Sequence, residues 1–436
     1  MEKLMQYVWQ HGLWIPGELR TVDGRRVSVI DRGWLNSDAG PDFFNAKVEI
    51  DGHVWAGNVE IHVRASDWHR HGHDGDPAYD TVILHVVGTD DCRIVRRDGE
   101  EIPQIVMPCA PDFSERYNAM VNGGTADRPA CAAELPGIPR IYVSDWLTSL
   151  AHTRLQRKAD KVRALASEVF EGNWRSAVYV TLARALGFGT NGDAFERLAR
   201  LVSLKSLMKH SDSLETVEGL LFGQAGLIPE KGALGPEDCS DEMYTAAIRR
   251  EYEFMCRKFG IAKPVAPLGW KMSRMRPQNF PHRRIAALAA MVVPSFEIGY
   301  HILDVRTELE ARDLFNVVLM GYWSHHYGFG TPAQGSPRAF GEAAVSTLVI
   351  NVVAPVQYAY GEMYGDEAMC ARASDLLDAM KPEGNSIIRM FAAAGIDCRS
   401  ALESQALIEL RREYCEHRKC LYCRLGRRLL AAKVKP

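Results

Sequence analysis

Two carboxylates and a histidine within one short stretch are the residue types that hydrolytic metal chemistry uses. Asp42 lies in Gly40-Pro41-Asp42-Phe43, and Glu60 and His62 lie in Gly57-Asn58-Val59-Glu60-Ile61-His62-Val63. Residues 59–63 read as a strand, where side chains alternate faces, so Glu60 and His62 point the same way. Residues 46–50 read as a preceding strand that turns at Asp51-Gly52. Folded as a hairpin, the pair brings Asp42 beside the Glu60 strand. Converging carboxylates hold a hard cation such as Mg2+ or Mn2+ through oxygen. That cation activates water and stabilises a phosphoryl transition state.

Histidines crowd the same region: His53, His62, His69, His71, His73 and His85 are six of the fourteen in the chain. In an extended segment His69, His71 and His73 share a face, where they are candidates to bind zinc or to contact phosphate beside Asp42 and Glu60. Capping of loop backbone by these imidazoles is the alternative. His85 sits in an apolar strand and reads as a hydrogen-bonded core histidine. Tyr79 and Asp80, at the mouth of that strand, are further candidates.

A third group is Cys415, Cys420 and Cys423, spaced x4 and x2. Three thiols this close call for a metal, with His417 inside the turn as a candidate fourth ligand of a zinc site. The spacing also suits an iron–sulfur cluster completed by a remote cysteine. Cys398 is held away by an expected helix over 400–414. The role expected is structural, because no acid or base stands next to the cluster.

The net charge of -3 gives no global attraction to nucleic acid, so any contact must be local. Three basic stretches qualify. Arg154, Arg157, Lys158 and Lys161 recur at helical spacing. Lys271, Arg274, Arg276, Arg283 and Arg284 interleave with Trp270 and Phe280. The C-terminal stretch, which includes Arg427, Arg428, Lys433 and Lys435, carries +7. Basic residues with aromatics suit a phosphate backbone and stacked bases, although a solvated helix face explains any one of them equally well.

The elements that must position these residues follow from periodicity. Alternating segments predict strands over 26–30, 46–50, 53–63, 81–87 and 93–95, the fourth apolar enough to be buried on both faces. From residue 144 the 3.6-residue pattern predicts helices, including 174–186, 194–207, 245–259, 282–291, 307–320 and 400–414. The expected division is an α/β domain over 1–120, a breaker-rich linker over 121–140, a helical domain over 141–262 and a second over 263–436. Prolines 264–267 and 277–281 separate the last two. The N-terminus shows no signal peptide and the longest apolar runs are too short to cross a bilayer, so the expectation is a cytoplasmic protein without a membrane.

The stretches Asn36-Ser37-Asp38-Ala39-Gly40-Pro41-Asp42-Phe43, Gly57 to His62, Ser66-Asp67-Trp68-His69-Arg70-His71-Gly72-His73 and Ile83-Leu84-His85-Val86-Val87 resemble an uncharacterised bacterial domain-of-unknown-function family. The likeness continues through Phe222-Gly223-Gln224-Ala225-Gly226, Arg276-Pro277-Gln278-Asn279-Phe280-Pro281 and the cysteine segment, and brings no function with it. The N-terminal part also resembles the PD-(D/E)xK nucleases: Pro41-Asp42 matches the first motif, and Glu60-Ile61-His62 the second, with His in place of the usual Lys. That resemblance implies a restriction-endonuclease-like mixed sheet. It also implies Asp42 and Glu60 as metal ligands, His62 orienting the attacking water, and nucleic acid as substrate. The alternatives are a non-catalytic nucleic-acid-binding or assembly protein with a decayed nuclease core, favoured by His62, and a zinc hydrolase centred on His69, His71 and His73.

Overall fold

The computed structural model describes every residue except 16, 37, 108–110, 126, 234–238, 263–267, 294–295, 335–336 and 432–436. Prolines 264 and 267, Lys433 and Lys435 therefore lie outside the described residues. Two compact units emerge: Met1–Val143 together with Arg411–Pro436, and Ser144–Leu410.

The first unit is built on a mixed sheet. Its strands are β1 (Leu19–Arg20), β2 (Arg26–Asp31), β3 (Trp34–Leu35), β4 (Phe43–Ile50), β5 (His53–Arg64), β6 (Val82–Thr89) and β7 (Gln104–Val106). Their order is β1-β2-β4-β5-β6-β7, with β3 on β4. β4 and β5 form the expected antiparallel hairpin, while β5–β6 and β6–β7 are parallel. Alternation sorts side chains to the two faces. Val59, Ile61, Leu84, Val86 and Ile105 join a core with Leu4, Met5, Val8 and Trp9 of α1 (Glu2–His11). Glu60, His62, His85 and Gln104 occupy the other face and are buried too. There they meet a smaller cluster of Trp68, Tyr79, Val82, Ile94 and Ile102. Only a glycine fits at position 57, because a Cβ would lie 2.7 Å from the Thr81 carbonyl of the neighbouring strand.

The second unit is helical around one continuous core that runs from Leu155 to Ala401. The expected boundary near residue 263 is not where the chain divides. Tyr252 and Met255 pack in the same core as Leu268 and Ile285, so nothing separates two hydrophobic centres. The segment after residue 410 also departs from expectation: Leu421 and Leu430 belong to the core of the sheet unit. Among the described residues one run, Glu342–Tyr364, is long and apolar enough to cross a membrane, and 56% of it is buried inside the protein.

Most expected elements are present, with informative exceptions. Residues 93–95 form a single bridge, Val95 to Glu101. The helix expected over 194–207 is two, Gly192–Leu201 and Leu204–Met208, because the Ser203 side chain accepts from Ser206 N–H and starts a new helix. The one expected over 307–320 stops at Asp313. Beyond it, Leu319 N–H donates to Pro337 C=O and Val317 C=O accepts from Ala339, a tertiary pairing that displaces the helical one.

Candidate functional site: a histidine cluster on the polar face of the sheet

The strand register does the positioning. Glu60 stands opposite His85, and His85 opposite Gln104, across adjacent parallel strands. A bulge in the β4–β5 ladder between Phe43 and Ala46, with Asn45 at φ 56°, turns the chain just after Asp42. Asp42 N–H then donates to Glu60 Oε2 at 2.9 Å, and Ile61 N–H donates to Asp42 Oδ2 at 3.1 Å. Gln6 Nε2 of α1 donates to Asp42 Oδ1 at 2.8 Å. Asp42 thus orients Glu60 through its N–H, and its own carboxylate oxygens each accept one hydrogen bond and keep a second lone pair. Burial, and next the Glu60 charge, push the Asp42 carboxyl up to about 7.

Behind Glu60, a relay fixes the histidine tautomers. Gln104 Nε2 donates to Asp90 Oδ1 at 2.5 Å and to Cys92 C=O at 3.3 Å, which leaves Gln104 Oε1 to accept from His85 Nδ1 at 2.9 Å. His85 is fully buried, and burial pulls its pKa down to about 4, so it is neutral and its Nε2 carries a lone pair. His62 Nδ1–H therefore donates to His85 Nε2 at 2.8 Å. Burial, and then the neighbouring imidazoles, hold His62 down at about 2, so it too is neutral, with its Nε2 lone pair turned outward. A base that shares its proton with substrate needs a pKa nearer neutrality. The water-activating role expected for His62 does not suit this environment, whereas a neutral imidazole with a fixed tautomer is what metal ligation requires.

His62 Nε2 faces His71 Nδ1 at 3.1 Å. It lies 3.4 Å from Glu60 Oε1, and His73 Nε2 lies at the same distance from that oxygen. One nitrogen from each of His62, His71 and His73 falls within 4.8 Å of the others. His73 Nε2 is buried and makes no hydrogen bond. The rings are held rigidly. His73 stacks on Tyr79 at 3.8 Å, and Trp68 stands edge-on to His62, His73, Tyr79 and His85. His71 is exposed and marks the solvent side.

The extended segment expected over His69, His71 and His73 is not present. Asp67–Arg70 forms a short helix, α2, and His73–Gly75 a 3-10 turn. The helical turn moves His69 off the cluster, exposed and bonded through Nδ1 to Asp74 at 2.8 Å. Asp80 likewise pairs with Arg97 rather than entering the site. Gln6, Asp90 and Gln104 lie in no motif of the sequence, and Trp68 lies in one without a role attached to it. Their roles depend on α1 and on a parallel register that no local pattern reveals.

Elsewhere, the basic candidates divide. Arg154 donates to Gln405 Oε1 at 2.7 Å and to Glu409 Oε2 at 3.1 Å, and Lys158 donates to Gln405 Oε1 at 2.6 Å. These two are committed to an internal network and are withdrawn as phosphate contacts. Arg283 and Arg284 are buried on the carbonyls of Trp323, His326 and Ala339. Asn279 accepts from Arg284 at 2.6 Å, which makes its loop a packing element. Arg274, Arg276 and Arg427 are exposed, and Arg428 lies over the Tyr142 ring at 3.4 Å.

The cysteine segment follows a π-helical turn, Leu410–Cys415, and leads into the C-terminal helix Arg424–Ala431. Cys415, Cys420 and Cys423 line one cavity, and Cys131, about which spacing said nothing, lines it with them. His417 is exposed and is not among the lining residues. Cys398 belongs to the helical unit, its thiol donating to Ser400 C=O.

No curated protein and no solved structure matches this chain. A family model does match, over residues 2–386, which include the whole histidine cluster and stop short of Cys415. The chain belongs to the family described as protein of unknown function DUF2851.

Proposed function

We propose that the sheet unit is a metal-dependent hydrolase whose ion is held by His62, His71 and His73, and that its substrate class is the phosphodiester bond of nucleic acid. The observation that carries the reading is the hydrogen-bond relay from Asp90 through Gln104 and His85. It turns His62 Nε2 toward His71 Nδ1, in a group where one nitrogen each of His62, His71 and His73 lies within 4.8 Å of the others. Three imidazoles favour zinc, or manganese next, over Mg2+, which prefers oxygen. An ion held by these three residues would supply an activated water. Glu60 Oε1, facing His62 and His73, would accept its proton. Asp42 positions Glu60.

The phosphodiester assignment rests on the likeness of the Asp–hairpin–Glu-x-His pattern to the PD-(D/E)xK nucleases. It is supported by a hairpin followed by a parallel strand, as that core requires. Arg70 adds positive charge: it is largely exposed, next to the site, and contributes to the depressed pKa of His62.

The test is metal analysis of the purified protein, with hydrolysis of bis(p-nitrophenyl) phosphate and of single- and double-stranded DNA and RNA under Zn2+, Mn2+ or Mg2+. Loss of a ligand in His73→Ala removes an ion contributing several kcal/mol to the transition state, so activity falls by at least about 10³-fold. His69→Ala retains activity. A fully metal-loaded protein inert toward every phosphodiester would sink the substrate assignment and leave a metal-bearing binding protein. His69→Ala inactive beside active His73→Ala would sink the ligand set.

A further inference from the structure

The cavity shared by Cys131, Cys415, Cys420 and Cys423 is separate from the histidine cluster and is used by nothing in the reading above. Three of these residues come from a nine-residue knuckle, Cys415 to Cys423, and the fourth comes from nearly three hundred residues earlier in the chain. The knuckle is shaped by its own backbone: Arg418 N–H donates to Cys415 C=O, Lys419 N–H to Tyr414 C=O and Cys423 N–H to Lys419 C=O. Arg418 adopts the left-handed conformation at φ 52°, closing the turn between Cys415 and Cys420. Gly426 packs directly on the Cys420 carbonyl, where a Cβ would clash, so the following helix starts close against the knuckle. Across the cavity, Cys131 sits in the turn that follows Pro129, with Glu134 and Leu135 N–H groups donating to its carbonyl. Cys131, Cys415 and Cys420 are free cysteines, and Cys423 is buried.

We propose that Cys131, Cys415, Cys420 and Cys423 are the four ligands of a thiolate metal centre, a zinc ion or an iron–sulfur cluster, that fastens the C-terminal segment to the sheet unit. Cys131, Cys415, Cys420 and Cys423 line one cavity, and a soft cation held there would stabilise their thiolates. The donor set is all sulfur, which suits zinc and iron–sulfur centres and not hard ions. Both share the tetrathiolate chemistry, and colour with acid-labile sulfide separates them. The centre accounts for why residues after 410 leave the helical unit: Leu421 and Leu430 pack beside Leu4 and Met120 in the sheet core, and the metal locks that return.

The test uses full-length His73→Ala protein, which lacks the other proposed site, purified without oxygen. Metal and sulfide content are measured, then metal release to a chelating dye. About one zinc, or a stoichiometric cluster with sulfide and visible absorbance, is expected per chain. Cys131→Ser should release metal at least tenfold faster and should speed proteolytic cleavage after residue 410. His417→Ala should match the parent in both. If Cys131→Ser destabilises the fold, alkylation protection in the parent protein decides: bound metal must shield Cys131 together with Cys415, Cys420 and Cys423. The proposal is overturned if the parent carries no metal, if Cys131 alkylates freely in the loaded protein, or if His417→Ala loses metal while Cys131→Ser keeps it.

Discussion

Buried polar residues are plentiful in both units of this protein, and they are arranged in opposite ways. In the helical unit several bind protein partners directly, while Arg284 Nε and Gln357 Oε1 are buried without a hydrogen bond. Arg283 and Arg284 cap carbonyls, Gln357 Nε2 donates to Ile302 and Val305 C=O, and Glu409 sits among Arg154, Arg157 and Lys158. In the sheet unit the hydrogen bonds run in one direction: Asp90, Gln104, His85 and His62 each accept from the next, and His62 Nε2 accepts from His71 Nδ1 beside His73 and Glu60. A closed network stabilises a fold, whereas one that ends at a solvent-side group of three histidines is the candidate to receive a ligand. Burial and polarity alone do not separate the two cases; the direction of the hydrogen bonds does.

The largest effect that would sharpen this contrast lies at Glu409. Its side chain is 3% exposed and pairs with two cations, Arg154 and Arg157. Glu409→Ala leaves buried positive charge and should destabilise the helical unit by about 3–5 kcal/mol. Denaturant unfolding measures that loss, and nucleic-acid affinity should not change. A loss under about 1 kcal/mol, or weakened nucleic-acid binding with stability intact, would reopen the basic stripe as a contact surface.

A smaller effect is expected at Gln104, where the relay is anchored. Gln104→Leu removes the acceptor for His85 Nδ1–H and frees His85 to change tautomer, so His62 loses its fixed orientation. Removal of such an outer partner typically weakens metal binding by about 10–100-fold. Zinc affinity by competition titration, with circular dichroism as a fold control, is the measurement. Unchanged affinity would mean that the lone-pair convergence does not depend on the relay.

How much of this was legible beforehand follows the same division. The hairpin, and the shared face of Glu60 and His62, are local consequences of alternation, and they are present as expected. The partner histidines depended on whether residues 67–75 are extended or helical. A period of two groups His69 with His71 and His73, while the α2 turn puts His69 with Asp74 instead. Arg154 and Lys158 show why a basic stripe is ambiguous. The i, i+4 spacing is identical whether it faces solvent or a carboxylate some 250 positions away, such as Glu409. Cys131 had no signal in spacing at all, because its companions arrive from the far end of the chain. The domain boundary failed for a related reason: proline-rich segments mark turns, but one apolar core continues across them.

The finest discrimination comes from pH. Glu218 is 4% exposed in the helical unit, and Tyr244 O–H donates to its Oε2 at 2.7 Å. Burial raises its carboxyl to about 8, and the Tyr244 hydrogen bond only partly offsets this. The folded state therefore holds a proton that the unfolded state releases above about 4.5. Stability conferred by this group is full at low pH and is lost as pH rises toward 8, by about 1.4 kcal/mol per pH unit inside that window. Glu218→Gln keeps the shape without the proton, so its denaturant midpoint should be flatter between pH 5 and 8 and should exceed the parent's at pH 8. Parallel profiles would show that the carboxylate is tolerated there by some other compensation. Zinc supplies the comparison within one molecule. A closed network has nothing to offer an ion, so the Glu218 profile should be the same with and without zinc. The melting of the sheet unit should rise with zinc, because the proposed ligands His62, His71 and His73 are brought together only in the folded state.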